Sequence, residues 1–470
     1  MPIERPNFTN EQPTEKPLFL RGKERITNPE LALVQVTEIK GVPGVKYDIA
    51  VVRDPYHSAL GGWRIAPAER LVDDYRKAKE HSNDYVSKIM HGRGIPDETA
   101  AAGVLESFQL AGEMSQKWAG MRSTMRYGMN PTSNVYGEHQ TEMLANRDAW
   151  IEASTMDGGT KGILVVTDKK AYDNITHAQK ESLLKQHADH MKELNKRKPT
   201  DAAEDVAYYT APDMGSSEAM MDKIYEETEG KFVACYSEHN GGTGNPSPTT
   251  ALGVAYGIRG VNNEILLNNP TGCNMSLAVQ GAAGEVGSSL VKFIRSNHPN
   301  ADIFVSDTAQ KRKVLEQMTN DEQIKIADGD DIFRKGTIFV PSGPPAQLND
   351  ETFVMMRDAG VKAVVGPANY LYTSGEEDEL AEKFKTAGII VAPAPLVNQG
   401  GIRSILPQFV EKITGRRPNQ EIAHKSVADV EPMTVFVLQE ALVRGVTPEQ
   451  VFQELAYGEY AKQSQKKRLI

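Results

Sequence analysis

Ser276-Leu-Ala-Val-Gln-Gly-Ala-Ala-Gly-Glu-Val-Gly287 is the stretch that decides the fold. An apolar run enters a glycine-rich turn, and Ser288-Ser-Leu-Val-Lys-Phe-Ile294 follows with helical spacing. Ile303-Phe-Val-Ser306 then reads as a second strand, ending at Asp307. Strand, glycine turn, helix, strand and acid, in this order, form a βαβ unit that binds a dinucleotide. Glycine lets the backbone approach a pyrophosphate, and the helix start offers unpaired N–H groups and the positive end of its dipole. Gly281, Gly284, Glu285 and Val286 are the candidate pyrophosphate residues. Asp307 can accept both ribose hydroxyls and would repel a 2′-phosphate, which favours NAD over NADP. The turn is irregular. In a G-x-G-x-x-G pattern ending at Gly287 the first glycine position holds Ala282, with Gly281 one residue early. Glu285 also sets an acid in the phosphate turn.

The bulk properties narrow the rest. A chain of 470 residues exceeds one core and suggests two or three domains. A net charge of −10 argues against nucleic acid or an anionic membrane as partner. No apolar run approaches the roughly 18 residues of a membrane span. Residues 1–23 have no apolar core of a secretory signal. The two cysteines, Cys235 and Cys273, lie near apolar segments and read as buried reduced thiols, which fits a cytoplasmic protein. No Cys/His cluster has metal-ligand spacing, so no metal is expected.

Outward from the central stretch, the periodicity predicts strands at 32–36, 47–52, 162–167 and 206–210, and helices over 67–90 and 216–229. Residues 91–150, rich in Met, Gly, Ser and Asn, read as an irregular helical insertion. Residues 176–198 read as a charged, solvent-facing helix. Later strands fall at 337–340, 363–365 and 389–391, and the last forty residues read as two helices and a basic tail. The expected class is α/β with two domains. Residues 1–235 would form a mixed α/β substrate and oligomerisation domain. Residues 236–430 would form a Rossmann-like NAD-binding domain, with a cleft between the two. Residues 431–470 would return to the first domain.

Three further clusters each place ionisable residues in what reads as a glycine-containing turn at a strand end: Ala59-Leu-Gly-Gly-Trp-Arg64, Asp157-Gly-Gly-Thr-Lys-Gly162 and Ala211-Pro-Asp-Met-Gly-Ser216. A lysine and an aspartate facing a nicotinamide would suit hydride removal from an amine, which needs a base for water and a cation beside the carbinolamine oxygen. With Gly244-Asn-Pro-Ser-Pro-Thr-Thr-Ala-Leu-Gly-Val254, Val365-Gly-Pro-Ala-Asn369 and Ala392-Pro-Ala-Pro-Leu-Val-Asn-Gln-Gly-Gly-Ile402, these clusters stand in the order of the glutamate/leucine/phenylalanine/valine dehydrogenases. The chain resembles that family over about residues 31–445, and its leucine dehydrogenase branch most.

The resemblance implies NAD-dependent, reversible deamination of an L-amino acid to the 2-oxo acid and ammonia, usually by an oligomer. It implies Lys161 as catalytic lysine, Asp213 as general acid/base, and Thr250, Asn369 and Asn398 as cofactor or substrate residues. Gly61 and Gly62 would line the substrate through their backbone, with Leu60, Ala211, Ile402 and Ile405 around its side chain. Those residues make an apolar pocket, where burying a side-chain carboxylate would be costly. The sequence also departs from the pattern. The family's second lysine, about 12 residues before the catalytic one, falls on Ala149. Lys117 and Lys88 compete for its role in holding the substrate carboxylate, and neither is a third reading. Thr160 replaces a family glycine, Ala394 stands where the family often has Asp, and Arg403 adds a cation that is either solvent-exposed or reads a substrate acid. A diverged relative acting on an unusual amine, or a nucleotide-binding homologue without turnover, are the other functional readings.

Overall fold

Two sheets organise the chain. A computed structural model describes residues 32–81, 83–129, 134–156, 158–268, 275–373, 376–456 and 458. The basic tail and Cys273 lie outside the described residues. The first sheet holds β1 (Leu33–Glu38), β2 (Val45–Val52), β3 (Ala59–Pro67), β4 (Thr160–Val166) and β5 (Tyr208–Pro212), in the order β1-β2-β4-β3-β5. β3 runs parallel to both β4 and β5, while β1 and β2 pair antiparallel. The cluster around Gly61 and Gly62, expected as a turn, is instead the middle of β3. The reason is close packing: a Cβ on Gly61 would stand 1.7 Å from the carbonyl oxygen of Thr160.

Helix α1 (Ala68–His81) follows β3, and α2 (Glu98–Gly128) crosses one face of the sheet. α2 replaces most of the irregular insertion expected over 91–150. Asp97 caps it, accepting from the Ala100 N–H. Its apolar stripe is hard to see in sequence because it is buried on most of its circumference. Glycines provide the close contacts: Gly103 lies against Ile49, Gly112 against Arg53 and Gly120 against Phe452. Helix α3 (His177–Lys196) covers the other face of the sheet. It was expected to face solvent, but it buries Leu183, Leu184, His187, His190, Met191 and Leu194. Thr176 and Gln179 close its start with reciprocal hydrogen bonds.

Beyond α4 (Ser247–Asn268), the second sheet comprises β6 (Ser276–Gln280), β7 (Asp302–Ser306), β8 (Ile324–Ile326), β9 (Ile338–Pro341), β10 (Ala363–Val364) and β11 (Ile390–Val391). All its pairings are parallel, in the order β11-β10-β9-β6-β7-β8. Counting from β6, this is the 3-2-1-4-5-6 order of a doubly wound nucleotide-binding sheet, with its switch point between β6 and β9. Helix α5 (Glu285–Asn297) follows β6 directly, and α6 (Val430–Arg444) packs along α4. The fold is therefore α/β with a Rossmann-like sheet, as the sequence predicts. No helix among the described residues is long and apolar enough to cross a membrane.

Candidate active site

Alternation along β3 sends Leu60, Gly62 and Arg64 to the face covered by α2, and Trp63 to the face covered by α3. β4 places Lys161 beside Gly62. Asp213, just past β5, joins them. Lys161 Nζ lies 2.5 Å from Asp213 Oδ2, and Arg64 Nε donates to the same oxygen at 2.9 Å. The second edge of the Arg64 guanidinium meets Glu106 of α2 at 3.1 Å, and Arg70 of α1 holds Glu106 at 2.8 Å. The glycine at position 62 makes the site possible: a Cβ there would lie 2.5 Å from Asp213 Cβ and 3.2 Å from Lys161 Nζ. Ser107 of α2 anchors the strand by donating to the Lys161 carbonyl at 2.6 Å.

Burial and charge set the protonation states. Burial alone would raise the Asp213 carboxyl, but Arg64 and Lys161 outweigh it and hold Asp213 well below the usual carboxylate range. Burial pushes the Lys161 ammonium down, against the pull of Asp213. Lys117, one turn along α2 from Glu113, feels burial first and then the positive charge of Lys161, and is pushed down to about 8. Lys117 is thus in electrostatic reach of the Lys161–Asp213 pair. Lys88 is exposed on the helix Asn83–Met90.

The turn after β6 lies at the switch point of the second sheet. Gly281 has φ +75°, and a Cβ on it would stand 2.7 Å from the Gly343 nitrogen beyond β9. Gly287 has no room for a side chain against the Gly281 carbonyl oxygen. Gly284 caps α5 with no side-chain hydrogen bond, and its missing side chain faces mostly open space. Val286 is partly buried in the first turn of α5. Asp307, at the end of β7, accepts from the N–H groups of Ala283 and Thr308 at 3.0 and 2.8 Å, and Lys311 approaches it at 3.9 Å. Glu285 is turned toward α4, accepting from Asn245 and Ser247 at 3.0 Å each. Asn398 donates to Asn369 at 3.3 Å and to the Pro367 carbonyl, while its own Oδ1 is buried with no partner. Thr250 faces Gly401, where a Cβ would meet its hydroxyl at 2.6 Å. A glycine turn open at Gly284, a fixed acid and an orphaned amide oxygen are a donor and acceptor set that fits a dinucleotide.

The two sites adjoin. Tyr370, next in the chain to Asn369, is partly buried near Glu106, Arg64 and Arg70, and desolvation and Glu106 push its hydroxyl above the usual tyrosine range. Leu60, Ala211, Ile402 and Ile405, expected around the substrate side chain, belong to one apolar cluster with Trp118. Arg403 is neither exposed nor aimed at the site. It is wholly buried, donates from Nη1 to Asp429 Oδ2 at 2.9 Å with Nη2 2.8 Å from Oδ1, and Tyr136 donates to Asp429 at 2.5 Å.

The sequence also conceals a cluster behind the site. Asp48 Oδ2 meets Nδ1 of His187 at 2.7 Å and of His190 at 2.8 Å, and Trp63 Nε1 donates to its other oxygen at 2.9 Å. Trp63 stacks on His187 with ring centroids 4.0 Å apart. Asp48, His187 and His190 are grouped closely enough to hold a metal ion, which the sequence spacing did not suggest. The hydrogen bonds present describe a buried carboxylate satisfied by two imidazoles and an indole, pinning β3 from beneath. Cys235 is buried, and burial pushes its thiol up, which makes it inert.

A lysine and an aspartate meeting on one sheet, set against a doubly wound parallel sheet, define a two-sheet α/β fold. Residues 241–442 match the model of the Glutamate/Leucine/Phenylalanine/Valine dehydrogenase family. It is 32% identical over 245 residues to phenylalanine dehydrogenase of Bacillus thermotolerans, covering 51% of this chain and 59% of that protein. It is 28% identical over 203 residues to leucine dehydrogenase of Bacillus subtilis, covering 43% and 52%. The chain thus spans little more than half the length of these curated relatives. In structure it resembles the hetero-hexameric glutamate dehydrogenase of Thermus thermophilus, with a TM-score of 0.60 over 94% of this chain and 90% of that one, at 16% identity.

Proposed function

We propose that the chain oxidatively deaminates an L-amino acid with an apolar side chain, reversibly, with NAD as cofactor. The observation that carries this reading is the Lys161–Asp213 contact, with the lysine buried and the aspartate partly so, under the bare backbone of Gly62 and beside a nucleotide-type sheet. The amino acid, water and the oxidised cofactor would yield the 2-oxo acid, ammonium, the reduced cofactor and a proton. A bound nicotinamide would accept hydride from the α-carbon. The chain's own residues supply the rest. Lys161 donates N–H to the oxygen that develops on that carbon. Asp213, kept ionised by Arg64 and Lys161, accepts the proton of the attacking water and, being a weak base, passes it on. Lys117 holds the substrate carboxylate. Leu60, Ala211, Ile402 and Ile405 place no cation where an acidic side chain would need one.

Gly281, Gly284, Val286 and the start of α5 would hold the pyrophosphate, Asp307 the ribose, and Thr250, Asn369 and Asn398 the nicotinamide end. The anchored Asp307 carboxylate supports NAD over NADP, although Lys311 offsets part of its charge. Likeness to a hexameric dehydrogenase supports assembly of several copies. Amino-acid-dependent reduction of NAD, followed by the absorbance of the reduced nicotinamide, tests the reaction. Absence of turnover in both directions across amino acids and 2-oxo acids would sink it, and equal rates with NADP would remove the cofactor preference.

Lys117 gives a pH signature. Its ammonium, pushed down to about 8, is charged below that pH and neutral above it. The KM of a 2-oxo acid should therefore rise as the pH passes about 8. In Lys117→Met the KM should be raised by about 10- to 100-fold, the worth of one charge-assisted hydrogen bond, and should lose that pH dependence. A KM that stays level in the wild type from pH 7 to 10 would remove Lys117 from carboxylate binding.

A further inference from the structure

Beside Lys161 and Asp213 the site has two directions. Toward Arg64, Glu106 and Lys117 it is charged. The other direction follows the same sheet face to Leu60, two residues before Gly62 on β3, and to Ala211, which pairs with Gly62 on β5. A substrate side chain on a carbon held at Lys161 must point in this apolar direction, since the charged end suits the carboxylate. Trp118 of α2 occupies that place. Its indole nitrogen donates to the Leu60 carbonyl at 3.4 Å, and the residue is 0% exposed. Leu60, Ala211, Ile402 and Ile405 are 2%, 5%, 4% and 1% exposed, so little room remains beside them even for water. Met114 and Met121, one helical turn to either side of Trp118, close the same cluster.

We propose that Trp118 sets the side-chain limit of the substrate: the chain acts on amino acids whose side chain is hydrogen, methyl or ethyl. This rests on the deamination reading and narrows it. A well-packed indole resists displacement, because interiors close-packed in single rotamers have no slack for added methylenes.

The test is a kcat/KM series over glycine, alanine, 2-aminobutyrate, norvaline, leucine and phenylalanine, for the wild type, Trp118→Ala and Trp118→Leu. In the wild type the value should fall by at least about 100-fold between alanine and leucine, since each methylene that does not fit is worth roughly 10- to 200-fold. Both variants should shift the leucine-to-alanine ratio upward by about tenfold or more. The wild-type series stands on its own if either variant fails to fold. Leucine or phenylalanine turned over by the wild type as well as alanine would overturn the role of Trp118 and leave the deamination reading standing. An unchanged ratio in a folded variant would do the same. No turnover of any member, in either direction, would overturn both.

Discussion

Replacing Lys161 by alanine should lower kcat by about 10³- to 10⁴-fold, the scale of losing a positioned donor together with a proton-transfer partner. Binding of NAD should be unchanged, because no cofactor residue proposed above lies on β4. The variant should also fold. Its ammonium leaves a buried place, but Arg64 still holds Asp213 at 2.9 Å, so the carboxylate is not stranded. Arginine at position 161 should not restore turnover, because even a Cβ at Gly62 would lie only 3.2 Å from the lysine nitrogen, and a planar guanidinium is bulkier than that single nitrogen. Stopped-flow measurement of the hydride step, with NAD binding measured by fluorescence, separates chemistry from binding. A Lys161→Ala protein within tenfold of the wild type would show that another group polarises the substrate.

Replacing Asp429 by alanine should cost about 3–5 kcal/mol of stability, the usual result of leaving one half of a buried ion pair uncompensated. Arg403 would keep only the Gln399 side chain and the Ser426 carbonyl as partners. Tyr136 would lose its acceptor, adding to the loss. The pair replaced together, Arg403→Met with Asp429→Leu, should recover most of the stability. Urea unfolding of both variants beside the wild type tests this. A single variant within about 1 kcal/mol of the wild type would mean that water reaches the pair. The effect would also reach function, since the Arg403 helix begins at Gly400, two residues after Asn398.

Much of this site is legible in the chain. The glycine spacing after Val279 identifies the nucleotide sheet without help, because its requirements are local: a strand, a turn with no room for side chains and a helix start. Lys161 and Asp213 are legible as ionisable residues in glycine-containing segments. Their partners are not. Arg64 sits in the quoted cluster, yet only the pairing of β3 with β5 shows that it holds Asp213. Glu106 and Trp118 lie on a helix buried on most sides, where no polar stripe signals which residue faces the sheet. Asp48 and His187 are 139 residues apart, and no spacing rule could join them. Arg403 illustrates the opposite error: a cation beside a binding turn invites a ligand role, while its true partner is an aspartate 26 residues on.

Helix α2 has a mechanical consequence. At 31 residues it is about 46 Å long. Its first half is packed on β2 and β4 and its second half on the elements after the nucleotide sheet, through Gly120 against Phe452, Thr124 bonded to Gln399 and Gly128 against Tyr136 and Asp429. A single rod therefore spans both halves of the molecule. Loosening either end withdraws buried surface from the other, so the halves are tied into one cooperative melting unit rather than two that come apart separately.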